Sequence, residues 1–155
     1  MQMTPETIAK LLKQLLGRDV TFQKIAPFKL SAVDPSITAS YVTKQGSLAG
    51  VWLCDLDLTY RAGAALCMIP AAEAQARLRV SKVDDYLVEN FREILNICSQ
   101  LFTTHEEPSV ELGAVYLSAE ERPPAIATLI VAPASRLDLQ MTISGYGNGR
   151  MSILM

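Results

Sequence analysis

Histidine occurs once in this sequence, at His105, and cysteine three times, at Cys54, Cys67 and Cys98. The cysteines are far apart and none is in a CxxC spacing. Zinc needs about four closely placed ligands, so no metal site is expected. Three thiols, each among apolar neighbours, read as buried and inert rather than as a disulfide framework. No apolar run reaches the roughly 18 residues of a membrane span. The opening MQMTPETIAK lacks the layout of a signal peptide. The expectation is therefore a cytoplasmic chain without membrane insertion. There is no long basic block, and the net charge is −2, which argues against nucleic acid as the main partner. A P-loop, a dinucleotide-binding glycine pattern and HExxH are also missing, which leaves the small-molecule enzymes without a motif.

What is present is a chain able to build a core. Half of its 155 residues are apolar and 19% are charged, a balance that suits one folded domain, 1–155, and excludes disorder. Thr4 is a candidate N-cap, Pro5 fits the first helical position and Gly17 follows the last turn. Between them Ile8, Leu11, Leu12, Leu15 and Leu16 form one apolar stripe. Asp34-Pro35-Ser36 reads as a turn. Gln45-Gly46 then separates two β-rich runs, 37–44 and 48–56, expected to pair as an antiparallel hairpin, with Tyr41 and Trp52 as packing residues.

Residues 58–79 are alanine-rich, and Pro70, lacking an amide proton, splits them into two helical pieces. Gly63, inside the first piece, permits either close packing or a weak spot. Two apolar strands are expected near 109–118 and 125–132, joined through Glu120-Glu121-Arg122-Pro123-Pro124. The chain closes with LDLQMTIS, GYGNG and RMSILM, a last hairpin turning at Gly145, Gly147 and Gly149 rather than a phosphate loop, since no helix follows. Strands arriving in hairpin pairs imply an antiparallel sheet with helices packed on one face, an α+β class. No internal sequence repeat is evident.

The most informative stretch is the helix expected from about Lys82 to about Thr104, opened by a capping box at Ser81-Lys82-Val83-Asp84. At ~100° per residue, Val83, Leu87, Phe91, Ile94, Cys98 and Leu101 fall on one side and must face the core. Glu89, Glu93, Asn96 and Gln100 fall together on the opposite side as one polar ridge. Glu89 and Glu93 are like charges four apart, which costs a few tenths of a kcal/mol unless compensated; Arg92 is close enough to pair with Glu89. Asn96 is a poor mid-helix residue, because its side chain competes for backbone hydrogen bonds. From the residues alone, such a ridge is either a solvated face or a working surface.

The run Glu93-Ile94-Leu95-Asn96 resembles the signature helix of the CheC/CheX/FliY family, whose motif is Asp or Ser, three residues, Glu, two residues and Asn, with a proline downstream. The opening helix, the hairpin GSLAGVWLCDLDL and the alanine-rich stretch occupy the family's usual places. The resemblance implies a phosphatase of a phosphorylated chemotaxis regulator, CheY. By position, Glu93 matches the acid, which contacts a lysine of the regulator. Asn96 matches the asparagine, which orients water against the aspartyl phosphate. No cofactor of the chain's own is implied, since the Mg²⁺ belongs to the regulator.

The pattern departs from the family at four places. Glu89 stands for Asp or Ser, Arg92 precedes the acid where glycine is common, Gln100 replaces a small residue, and Ala119 lies at the proline's distance, with Pro123 and Pro124 slightly later. Glu89, Arg92 and Gln100 would then meet the partner. In the first helix Glu6 is followed by Ala9 where asparagine is required, so a second site is not expected. That points to the single-site, CheX-like branch, whose members form homodimers. Two functions follow: a CheX-like phosphatase of a response-regulator receiver domain, or a non-catalytic binding and assembly module on the same fold.

Overall fold

A computed structural model describes residues 3–27, 35–80 and 82–155. The chain opens with α1 (Pro5–Leu16), capped as its sequence requires. Thr4 accepts the backbone N–H of Thr7, Pro5 takes the first helical position and Gly17 closes the helix at φ 64°. Strand β1 (Val20–Lys24) follows, then the hairpin β2 (Ser36–Thr43) and β3 (Leu48–Asp55). Next come α2 (Leu56–Leu66) and α3 (Ala71–Leu78), separated at Pro70 as expected. Helix α4 (Asp85–Ile97) runs into a 3-10 turn, Cys98–Phe102, and leads to β4 (Val110–Tyr116) and α5 (Pro124–Val131). The last hairpin is β5 (Arg136–Ile143) with β6 (Gly147–Leu154). Among the described residues no helix is long and apolar enough to cross a membrane.

The six strands form one sheet in the order β1-β5-β6-β3-β2-β4, and every neighbouring pair is antiparallel. This is the α+β class the hairpins implied. The order is unchanged when β1, β2, β3 are exchanged for β4, β5, β6. The chain is therefore two topologically equivalent halves, α1-β1-β2-β3 and α4-β4-β5-β6, joined where β3 pairs with β6. Alternation along the strands sends Ile37, Ala39, Tyr41, Trp52, Cys54, Leu139, Met141 and Ile153 to one face, where α1, α2 and α4 bury them. The other face carries buried hydroxyls. Ser36 and Thr38 accept hydrogen bonds from Arg122, and Ser152 donates to Asp138, so these polar groups keep partners on leaving water.

Several expectations change. The strand expected near 125–132 is instead the helix α5, Pro124–Val131. A short apolar run cannot be told from a buried helical segment by periodicity alone, and Pro124 at the first helical position sets the helical φ. This helix lies on the second face, where Ile126 packs with Val51 and Leu154. Strand β1 was not expected; its signal was the alternation of Val20 and Phe22 with Thr21 and Gln23. The helix expected to begin at Lys82 begins at Asp85 with Asp84 as its cap, and its α-helical part ends at Ile97. Ser81, the first residue of the capping box, and Asp34, the first of the Asp34-Pro35-Ser36 turn, lie outside the described residues; Ser36 itself opens β2.

Gly63 serves close packing. A Cβ built there would stand 2.6 Å from the Leu87 carbonyl oxygen of α4, nearer than atoms approach. Gly→Ala inside a helix ordinarily gains ~1 kcal/mol, whereas overpacking of this kind costs ~1–3 kcal/mol. Gly63→Ala is therefore expected to lower the stability read by urea unfolding, despite its better helix propensity. A rise in the unfolding midpoint would show that α2 and α4 do not touch there.

Candidate functional site

Helix α4 has one committed side. Leu87, Val88, Phe91, Ile94 and Leu95 are buried against the sheet and α2, with Cys98 and Leu101 continuing the stripe through the 3-10 turn. Val83 is partly buried beside them. The opposite side is the polar ridge: Glu89, Glu93, Asn96 and Gln100 are all exposed. The 3.6-residue period thus brings together the four residues read as one face.

The start of the helix is fixed electrostatically. Asp84 accepts the Leu87 N–H at 2.9 Å, and Arg77 lies 3.3 Å from the Asp84 carboxylate. The Asp84 N–H donates to the Tyr60 hydroxyl at 2.6 Å.

The ridge divides into engaged and free side chains. Arg92, half-buried, pairs with Glu89 at 3.3 Å, one turn apart, which relieves the repulsion between Glu89 and Glu93. An exposed pair of this kind adds only ~0–1 kcal/mol, but it leaves Glu93 as the uncommitted acid. Gln100 donates back to the Ile97 carbonyl at 3.1 Å. Among the described residues the side chains of Glu93 and Asn96 have no hydrogen-bonding or ionic partner. They stand one turn apart. The backbone beneath Asn96 is anchored: the buried Tyr41 hydroxyl donates to the Leu95 carbonyl at 2.7 Å. Alternation marked Tyr41 as a core residue, but its hydroxyl's target on a distant helix has no local signal. Beside Gln100 a groove of about 410 Å³ runs toward α1, lined also by Thr7, Lys10, Leu11 and Gln14.

Counting from the caps Thr4 and Asp84, Lys13 and Leu16 occupy in α1 the places of Glu93 and Asn96 in α4. Leu16 is buried and carries no amide, so the equivalent half lacks the constellation.

Other chemistries find little support. Among the described residues no group of three or more His, Cys, Asp or Glu side chains is placed to hold a metal ion. Burial pushes the Cys54 and Cys98 thiols up to about 12, the reverse of what a nucleophilic cysteine needs. Among the described residues no hydrogen bond joins His105 to a thiol. Cys67, expected to be buried, is exposed just past the end of α2. Its apolar neighbours in sequence point elsewhere because the chain turns there, with Met68 at φ 58°. Of the three glycines expected to turn the last hairpin only Gly145 lies in the turn; Gly147 opens β6 and Gly149 lies within it opposite Met141, where a Cβ would meet the Leu58 backbone, and a strand rather than a helix follows the turn.

No protein-family model and no curated protein matches this sequence. Solved structures do. The FliM middle domain from H. pylori superposes with a TM-score of 0.65 at 14% identity, over 97% of this chain and 83% of that one. Thermotoga maritima FliY gives 0.62 at 13% identity, over 100% of this chain and 92% of that one. The chain has the fold of the CheC/CheX/FliY family. A chemotactic CheC-like protein from Shewanella oneidensis MR-1 gives 0.50 at 13% identity, over 96% and 92% of the two chains. At these identities the likeness is one of fold.

The burial of the thiols is open to direct test. Ellman's reagent is expected to titrate one sulfur per native chain, Cys67, with Cys54 and Cys98 reacting only after denaturation. Two fast-reacting thiols in the folded protein would contradict the packing of the core.

Proposed function

We propose that the α4 ridge is the working face of a phosphatase that hydrolyses the aspartyl phosphate of a response-regulator receiver domain. The observation that carries this reading is the pair Glu93 and Asn96. Acid and amide of the ExxN pattern stand on the exposed side of a packed helix, and neither side chain is engaged within the described chain. The pattern's resemblance to the family's signature helix supports the assignment of roles, and the shared fold supports the setting.

The chemistry asks little of the catalyst. An acyl phosphate is already activated, so the task is to hold water in line with phosphorus. The water oxygen forms the new P–O bond, the acyl P–O bond breaks, and the regulator's aspartate leaves as a carboxylate. The regulator brings the phosphoryl group and its Mg²⁺. Asn96 supplies a neutral amide that hydrogen-bonds the water without repelling the phosphoryl oxygens. Glu93 takes an ammonium group of the regulator and so orients the docked pair. Glu89, Arg92 and Gln100 flank the two and meet the partner's surface.

A second reading is a non-catalytic binding or assembly module. Crystals of H. pylori FliM include complexes with FliG and with SpeE, so a module of this fold engages proteins of different kinds. Arg92, which stands where the family's motif commonly has glycine and pairs with Glu89, favours this reading, because a bulky side chain next to the motif changes the surface that a regulator would meet.

Phosphate release from phosphorylated receiver domains of the same organism distinguishes the two. The wild type is expected to accelerate it, and Asn96→Ala to lose ~10²–10³-fold in kcat, as for the loss of one positioned donor elsewhere. Glu93→Gln is expected to raise KM more than it lowers kcat. Saturable binding without turnover, unaffected by Asn96→Ala, would instead establish the assembly module.

A further inference from the structure

Two tyrosine hydroxyls hold α4, one near each end. At the N-terminus Tyr60, from α2, accepts the Asp84 N–H at 2.6 Å. Near the C-terminus Tyr41, from β2, donates to the Leu95 carbonyl at 2.7 Å. Both tyrosines are buried in the core. The first contact lies about three turns from Asn96. The second lands on the residue immediately before it, close to where the α-helix gives way to the 3-10 turn at Cys98. The last carbonyls of a helix lack intrahelical donors, and here a side chain of the sheet supplies one.

Tyr41 is itself held in place. Its ring stacks on Phe102 of the 3-10 turn, centroids 4.1 Å apart and planes 19° apart. The Phe102 ring fills the space above Gly50, where a Cβ would come within 2.5 Å of it. Gly50, Phe102, Tyr41 and the Leu95 carbonyl thus form one packed series running from the sheet to the turn that carries Asn96. Burial keeps the Tyr41 hydroxyl well above its ordinary pKa, so it remains a donor throughout the working pH range.

We propose that Tyr41 is the positioning residue for Asn96: its hydroxyl fixes the last turn of α4 and so sets the direction in which the amide projects. This rests on the reading of Asn96 as the group that orients water. Tyr41→Phe keeps the ring and its stacking and removes only the donor. Tyr60→Phe likewise deletes a hydroxyl at the other end of the helix, there the acceptor of the Asp84 N–H.

The test pairs amide hydrogen exchange across α4 with steady-state hydrolysis of a phosphorylated receiver domain. In Tyr41→Phe, exchange over 95–102 is expected to accelerate about tenfold while 87–91 keeps its protection. The same variant is expected to lose about tenfold in kcat, with KM within twofold. Tyr60→Phe should loosen the start of α4 and leave kcat unchanged. Unchanged exchange over 95–102, or equal loosening along all of α4, would overturn the proposal. So would local loosening with an unchanged kcat. A wild type that hydrolyses no receiver phosphate defeats the catalytic reading of Asn96 and, with it, the role in water positioning; the exchange data then decide separately whether Tyr41 anchors the turn.

Discussion

The seat of α4 on the sheet is the constraint on which the candidate site depends. A helix presents a defined outer face only when its inner face admits no other setting. Successive residues are ~100° apart, so the rotation by one position that carries Glu93 into the buried place of Ile94 would lift Val88 and Leu95 into the exposed places of Glu89 and Asn96. Burial of a large apolar side chain stabilises by ~1.5–3 kcal/mol, and five residues of α4 are buried together, which makes that rotation prohibitive. Gly63 lets α2 approach the Leu87 backbone, and the Asp84 cap and the Tyr41 bond fix the axial setting. The ridge is rigid because the other side of the helix is fully occupied.

Much of this was legible in the sequence, because it is governed by local rules. The Thr4–Pro5–Gly17 punctuation of α1, the break at Pro70, the Gln45-Gly46 hairpin and the two sides of α4 all follow from capping, turn chemistry or helical period. What local rules do not determine was missed or misread. The residues 125–132 are apolar in both strand and helix templates, and the choice fell to Pro124 and to packing on Val51 and Leu154. Strand β1 has five residues at the sheet edge, with a single buried position, Val20. The Cys67 thiol follows a change of chain direction that sequence neighbours do not record. Tyr41 was visible as a core residue, but its bond to Leu95 spans 54 positions and belongs to tertiary structure. The site residues Glu93 and Asn96 were legible as an exposed pair; their chemistry came from the resemblance.

The fold is repeated, but the candidate site is not. The two halves exchange without altering the strand order, yet no similarity between them stands out in the sequence. Topology constrains only which positions are apolar, and α1 meets that demand with Ile8, Leu11, Leu12 and Leu16. Where α4 carries Glu93 and Asn96, α1 carries Lys13, paired with Asp19 at 2.9 Å, and buried Leu16. A shared architecture therefore says little about activity at either helix, and function has to be argued from individual side chains.

The shape of the ridge bears on what it can recognise. Small-molecule sites are concave and bury most of their ligand. Glu93 and Asn96 lie on the convex side of a helix, and the groove beside Gln100 opens toward α1 rather than over them. A small ligand placed on these two groups would remain solvated, and water would compete for each hydrogen bond. A macromolecular partner reverses the geometry: the helix enters the partner's concavity, and the partner excludes the water. On that arrangement affinity would come from the flanking surface, including the Glu89–Arg92 pair and Gln100, while Asn96 would add little to binding and act only once enclosed. The same convex face would suit the proposed catalysis or assembly alike, and what separates the two is whether the partner encloses a bond that a positioned water can break.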